Sequence, residues 1–153
     1  SADPLDIVEI DFPALFATVI HPQIEIKTAE ARAILPRDVP LKDAVKNWSN
    51  LGALVAALSS GDFDLMARSM VDLIVEPARK SLIPKFDEVK NACLAAGAIG
   101  GGISGSGPSM FMLSRTAETA GAVKNTMDNV YSQTGIDFNI YVSQIHPEGV
   151  RFV

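Results

Sequence analysis

Residues 98–113 read Ala98-Ile99-Gly100-Gly101-Gly102-Ile103-Ser104-Gly105-Ser106-Gly107-Pro108-Ser109-Met110-Phe111-Met112-Leu113. They lie within a run, 91 to 114, that carries no charged side chain. A run of that length raises the question of a membrane span. Gly97, Gly100, Gly101, Gly102, Gly105, Gly107 and Pro108 interrupt it. Such a segment cannot hold a continuous helix, and in lipid its open backbone groups would go unsatisfied. What remains is a buried strand, a glycine loop and a second buried strand, Met110 to Leu113.

The flanking segments supply the rest of the fold. A helix from Pro84 has Phe86, Val89, Cys93 and Leu94 inward and Gly97 as its stop. After the second strand, Thr116 caps a helix with apolar positions 117, 120, 123, 127 and 130, ending near Gly135. Phe138 to Ile145 alternates, with Phe138, Ile140 and Val142 on one face of a closing strand. Near the start, Leu15 to Ile20 is a compact apolar run bounded by His21-Pro22, which reads as a buried strand. Thr28 offers an N-cap hydroxyl to a short helix that stops near Pro36. Leu41 to Ser59 has apolar residues at 41, 44, 45, 48, 51, 54, 55 and 58, a helical period closed by Gly61. Asp62 caps the next helix, with Phe63, Met66, Met70, Leu73 and Ile74 as its apolar face.

With the extra helices between 28 and 75 set aside, the order is β-α-β-β-α-β. That predicts an α+β fold of the ferredoxin-like, split βαβ kind, an antiparallel sheet with two helices on one face. One domain, 1–153, is expected, with residues 1–13 as an arm or edge strand. The abrupt Ser1-Ala2-Asp3-Pro4 start points to a cut inside a longer protein.

Composition bounds the function classes. Apolar residues make up 48% and charged residues 20%, enough to bury a core and far from disorder. The net charge of −5 is a poor electrostatic match for nucleic acid or an anionic membrane, so neither is expected as a partner. A small anionic ligand needs only one or two local cations and is not excluded. Cys93 is the one cysteine, so no internal disulfide forms, and a buried, reduced thiol in a cytoplasmic protein is expected. His21 and His146 stand far apart, so no metal-ligand cluster is visible. No basic start followed by an apolar run marks a signal peptide.

The glycine loop carries the strongest chemical signal. Glycine lets another molecule approach the main chain closely, and successive N–H groups in such loops can form an anion-binding concavity. Ser104, Ser106 and Ser109 add hydroxyl donors. Gly100, Gly102 and Gly105 formally satisfy the dinucleotide pattern, but that pattern opens a helix, and here Pro108 and a strand follow. A P-loop needs Lys where Pro108 stands. Spacing alone therefore leaves two readings, an anion-binding loop and a tight turn joining two strands.

Two arginines invite a second anion. Thr28 and Arg32, four residues apart, share a helix face. Arg79 follows a predicted helix end, where its planar fork can meet a carboxylate. Converging, they suit an amino-acid carboxylate or a product phosphate; singly, each reads first as a solvated charge or the partner of a neighbour such as Glu76. Asp72 and Glu76, four apart, read as a helix face with local ion pairs rather than a catalytic pair.

Taken together, three segments resemble homoserine kinases of the GHMP small-molecule kinase family. Thr28-Ala29-Glu30-Ala31-Arg32 with Ile34-Leu35-Pro36 is similar to the family's Thr-x-x-x-Arg-x-x-Leu-Pro. Asp72 to Arg79, continuing Leu82-Ile83-Pro84, is similar to its Asp, Glu-Pro-x-Arg and Ile-Pro pattern. Gly102 to Ser109 is similar to its third signature, the glycine loop. The resemblance implies transfer of the γ-phosphoryl of MgATP to the hydroxyl of L-homoserine, a step of threonine biosynthesis. It implies ATP and Mg²⁺ as cofactors of the complete enzyme and a C-terminal domain packed beside an N-terminal nucleotide domain. It also implies that Arg32 and Arg79 hold the homoserine carboxylate and that Thr28 lies beside the reacting hydroxyl. Gly102, Ser104, Gly105, Ser106 and Gly107 would then support the phosphate site.

The family's ATP loop, Pro-x-x-x-Gly-Leu-Gly-Ser-Ser-Ala, is missing, and so is its Asn/Asp region for the substrate amine and hydroxyl. No residue is assigned as general base or magnesium ligand. The chain is therefore expected to be the substrate-binding half, inactive alone, with the missing kinase domain as its partner and a homodimer left open. Two other readings remain at this point. One is the C-terminal domain of another GHMP kinase with a mevalonate-type acceptor. The other is a free-standing regulatory domain that binds an amino acid.

Overall fold

The computed structural model describes residues 4–149. Residues 1–3 of the expected arm and 150–153 lie outside them. The sheet has four strands, β1 (Phe16–Pro22), β2 (Gly100–Ile103), β3 (Met110–Ser114) and β4 (Phe138–Gln144). Their order is β2-β3-β1-β4, all neighbours antiparallel. Six helices join them: α1 (Thr28–Ala33), α2 (Leu41–Ser60), α3 (Phe63–Ser69), α4 (Val75–Arg79), α5 (Phe86–Ala95) and α6 (Ala117–Tyr131). A 3₁₀ turn over Lys80–Leu82 follows α4. Without α1–α4 this is the β-α-β-β-α-β order, so the split βαβ architecture is as expected.

Alternation along the strands builds two cores. Ile20, Met110 and Met112 face α5 and α6, meeting Phe86, Val89 and Cys93 from one helix and Val123, Met127 and Tyr131 from the other. The Thr18 hydroxyl is buried on that face and donates to the Ala120 carbonyl, 3.3 Å. The opposite face holds Leu113, one residue out of phase with Met112. There Leu15, Ala57 and Met66 pack with Leu54, Leu58, Phe63 and Ile99, so the inserted α2–α3 pair covers one end of the second face.

Several boundaries differ from the sequence reading. His21 and Pro22 do not bound β1 from outside but are its last two residues, both paired with β4. Thr28 is the first residue of α1, not its cap, and Lys27 precedes the helix without a side-chain bond. Asp62 does cap α3, accepting from the Leu65 N–H at 2.9 Å. That helix ends at Ser69, however, so Leu73 and Ile74 are not on its face. Asn47 of α2 accepts from the Leu73 N–H at 3.0 Å and Asn50 donates to the Val71 carbonyl at 2.8 Å. These bonds hold residues 71–73 as an irregular strap in place of another turn. Helix α5 begins at Phe86, after Lys85, and Leu94, Ala117 and Val142 are exposed, against the inward positions expected of them.

The largest correction concerns the glycines. Gly100, Gly101 and Gly102 are not loop; they are β2 itself. A Cβ at Gly100 would sit 2.9 Å from the Met70 Cβ, and one at Gly101 would sit 2.0 Å from the Phe111 carbonyl oxygen. At Gly102 it would meet the Glu76 carboxylate at 2.6 Å. Their small size is thus required by the chain's own close packing.

Candidate functional site

The true loop is Ser104–Ser109, between β2 and β3. It is closed by Ser104 N–H to the Ser109 carbonyl, 2.8 Å, and Gly107 N–H to the Ser104 carbonyl, 3.1 Å. Gly105 and Gly107 have φ of +61° and +84°, the left-handed region where a side chain is strained. A Cβ on Gly105 would meet nothing within 4 Å, so its face is open. Among the described residues the N–H groups of Gly105 and Ser106 have no hydrogen-bond partner. Turns that alternate in hand and leave N–H groups unpaired are what an anion needs, so this loop fits a phosphate.

Arg79, the last residue of α4, reaches the loop. Its Nε donates to the Ala31 carbonyl and its Nη1 to the Gly105 carbonyl, each at 3.1 Å. The structure thereby brings α1 and the glycine loop to one side chain. Thr28 and Arg32 are exposed on α1, and Arg32 has no salt bridge or side-chain hydrogen bond among the described residues.

Two carboxylates brace α4. Asp72 is not on a helix face with Glu76; it caps α4, accepting from the N–H groups of Ile74 (2.8 Å), Val75 (3.0 Å) and Glu76 (3.0 Å). Glu76 pairs with Lys90 of α5 at 2.5 Å, both half-buried, and so does not pair with Arg79. Beside these carboxylates a cavity of about 380 Å³ opens between α2, the 69–76 segment and β2–β3. Asn47, Asn50, Leu51, Glu76, Gly102 and Phe111 are among its walls. No group of three or more His, Cys, Asp or Glu is gathered among the described residues.

One contact was invisible in the sequence. His21 Nδ1 lies 2.8 Å from the Ser109 hydroxyl, tying the end of β1 to the loop across 88 residues of chain. The only hint was the polar His-Pro pair ending an apolar run. Two buried ionisable groups elsewhere are raised in pKa by desolvation, the Cys93 thiol to about 11 and the Tyr131 phenol to about 12. Both belong to the α5–α6 core, away from the loop.

This combination of fold and glycine loop is shared with a known class. The family described as GHMP kinases C terminal matches residues 43–133, more than half of the chain, and the chain belongs to that family. It is 44% identical, over its whole length, to the homoserine kinase of Chlorobaculum tepidum and covers 48% of that protein. Over 94% of its length it is 41% identical to the homoserine kinase of Thermococcus kodakarensis, again 48% of the relative. The crystal structure of homoserine kinase from Cytophaga hutchinsonii superposes on 94% of the chain with a TM-score of 0.90 and 51% identity, using 46% of that structure. A Streptococcus pneumoniae phosphomevalonate kinase, TM-score 0.68 and 16% identical, shares the fold. The chain spans about half the length of the curated relatives it matches.

Proposed function

We propose that this chain is the acceptor-side half of a cytoplasmic, ATP-dependent homoserine kinase, a step of threonine biosynthesis, completed by a preceding nucleotide-binding domain. The observation that carries the reading is the Arg79 bridge, which puts α1 and the glycine loop side by side. Arg32 and Arg79 then hold the homoserine carboxylate, with Thr28 on the same helix face beside the hydroxyl. The open N–H groups of Gly105 and Ser106 face the phosphates. When bound, MgATP supplies the transferable phosphoryl group and the metal's charge. This chain's contribution is to fix the acceptor in line and to stabilise charge on the phosphate side.

The test is turnover by the protein encoded by the whole reading frame. With MgATP, L-homoserine is expected to drive ADP release and yield a phosphomonoester of homoserine by mass spectrometry. Turnover of mevalonate or another hydroxy acid, with none of homoserine, would overturn the choice of acceptor.

A further inference from the structure

We propose that Arg79 is a strut, a positioning residue that sets α1 against the glycine loop and so couples the acceptor side of the site to its phosphate side. The coupling rests on the function proposed above; the strut itself does not. The strut spans two carbonyls, those of Ala31 and Gly105. Ala31 lies in the last turn of α1, where carbonyls lack a partner within the helix. Leu35, whose N–H would continue the ladder to Ala31, donates instead to the Arg32 carbonyl at 3.2 Å. The Ala31 oxygen is thus left to the Arg79 Nε, a charge-assisted cap from a residue 48 positions away. The Gly105 carbonyl stands at the left-handed apex of the loop, and Arg79 Nη1 takes it from 26 positions away.

The loop has few other restraints. Its own closure consists of the Ser104–Ser109 and Ser104–Gly107 main-chain bonds. From outside, among the described residues, two side chains bond to it, His21 at the Ser109 end and Arg79 at the Gly105 apex. The apex is the end whose N–H groups have no partner among the described residues, so Arg79 holds the part of the loop left open to a ligand. Its own base is firm, because Asp72 caps α4 through three N–H groups and Glu76 ties α4 to α5 through Lys90.

This geometry divides the labour of the two arginines. With Nε and Nη1 engaged, Nη2 is the nitrogen of Arg79 without a partner among the described residues. A carboxylate can take the Nε–Nη2 edge of Arg79 only by displacing the Ala31 tether, which leaves it the Nη1–Nη2 edge, where Nη1 has one N–H left and Nη2 both. Arg32 has its whole fork available. Arg32 is therefore the arginine free to meet a carboxylate from either edge, while Arg79 orders the site and offers only the N–H groups its tethers leave. Lysine at 79 keeps the charge but has no planar fork to span two carbonyls.

The experiment uses this chain and the whole reading frame. In this chain, Arg79→Lys is expected to speed amide exchange at Ser104, Gly107 and Leu35 by ~10-fold or more, with β1 and β3 amides unchanged. Arg32→Lys should leave all of them unchanged. The unmodified chain gives a reading that needs no variant, since the Arg79 Nε–H signal should be protected from exchange relative to that of Arg32. Equal exchange of the two signals, or an Arg79→Lys loop that exchanges as before, would overturn the strut. In the whole protein, Arg32→Lys should raise the homoserine KM with kcat retained. Arg79→Lys should lower kcat and raise the KM for ATP as well. A change confined to the homoserine KM would overturn the coupling. If the whole protein does not phosphorylate homoserine, the functional reading fails and the exchange data still decide the strut.

Discussion

Two glycines three residues apart are required for opposite reasons. Gly102 is ordinary strand, but a Cβ there would fall 2.6 Å from the Glu76 carboxylate, which Lys90 holds in place. Gly102→Ala is expected to lower stability by ~1–3 kcal/mol, the usual cost of overpacking, read as a shift in the urea midpoint. Gly105 has open space around it but a φ of +61°. Gly105→Ala should cost ~1–2 kcal/mol through backbone strain alone. In the complete enzyme it should also depress kcat/KM for ATP, which Gly102→Ala should touch less; equal effects would undo the distinction. Cys93 makes a third residue-level case. Burial raises its thiol from 9.0 to about 11, so the folded state disfavours the thiolate. The stability this provides is complete below the unfolded pKa and is lost as pH climbs towards 11. Between those limits the slope approaches ~1.4 kcal/mol per pH unit for one group. Urea melts at pH 9 and pH 11 should show that loss in the native chain. Cys93→Ala should lack it and keep only what Tyr131, raised from 10.0 to about 12, gives up at higher pH.

Elements divide by how local their signals are. The long α2 and α6 were legible because their apolar periods and the caps at Gly61 and Thr116 lie within the helices themselves. Strand β3 was legible from its apolar run, and the antiparallel order followed from the element sequence. Strand β2 was expected there, but not its extent, because three glycines carry no β-propensity and read as loop; what makes them strand is Met70, Glu76 and Met112 pressing from other elements. The end of α3 was missed for a similar reason. Its apolar period continues to Leu73, but Asn47 and Asn50 on α2 capture the backbone of 71–73. Within the candidate site, the glycines and both arginines could be picked out by residue type. Their partners could not, because Arg79 bonds carbonyls 48 and 26 positions away and His21 meets Ser109 across 88. The Asp72 cap is the element on which these contacts rest. Asp72→Ala removes the acceptor for three N–H groups and should cost ~1–2 kcal/mol, whereas Asp72→Asn should recover much of it. Asp72→Ala should also loosen the Ser104–Ser109 loop in amide exchange, since α4 carries Arg79. A destabilised variant with an unchanged loop would separate the cap from the strut.

At the scale of the molecule, the sheet is closed on one face and partly covered on the other. Helices α5 and α6 bury Ile20, Met110 and Met112 completely. The opposite face is covered at the Leu113 end by α2 and α3, while Tyr141, opposite Val19 in β4, is 60% exposed. Two cores of this kind lead us to expect that the chain folds by itself. Catalysis asks for more. Phosphoryl transfer is carried by positioning and by charge stabilisation from metal and donors, with little covalent chemistry for the protein to do. On the proposed reading the phosphate-side donors of this chain are a few N–H groups of the loop, and the described residues hold no group of three or more His, Cys, Asp or Glu. The homoserine kinases it resembles are about twice its length. We therefore expect this chain alone, with MgATP and L-homoserine, to release no ADP above background while showing a cooperative urea transition. Adding the separately expressed upstream half should restore homoserine-dependent ADP release, with a rate that rises as that half is titrated in. Homoserine-dependent turnover by this chain alone would falsify the division into halves, because the metal and phosphate donors would then have to reside within it. A cooperative transition without turnover, rescued by the upstream half, places the missing charge stabilisation on the other side of the glycine loop, facing the open N–H groups of Gly105 and Ser106.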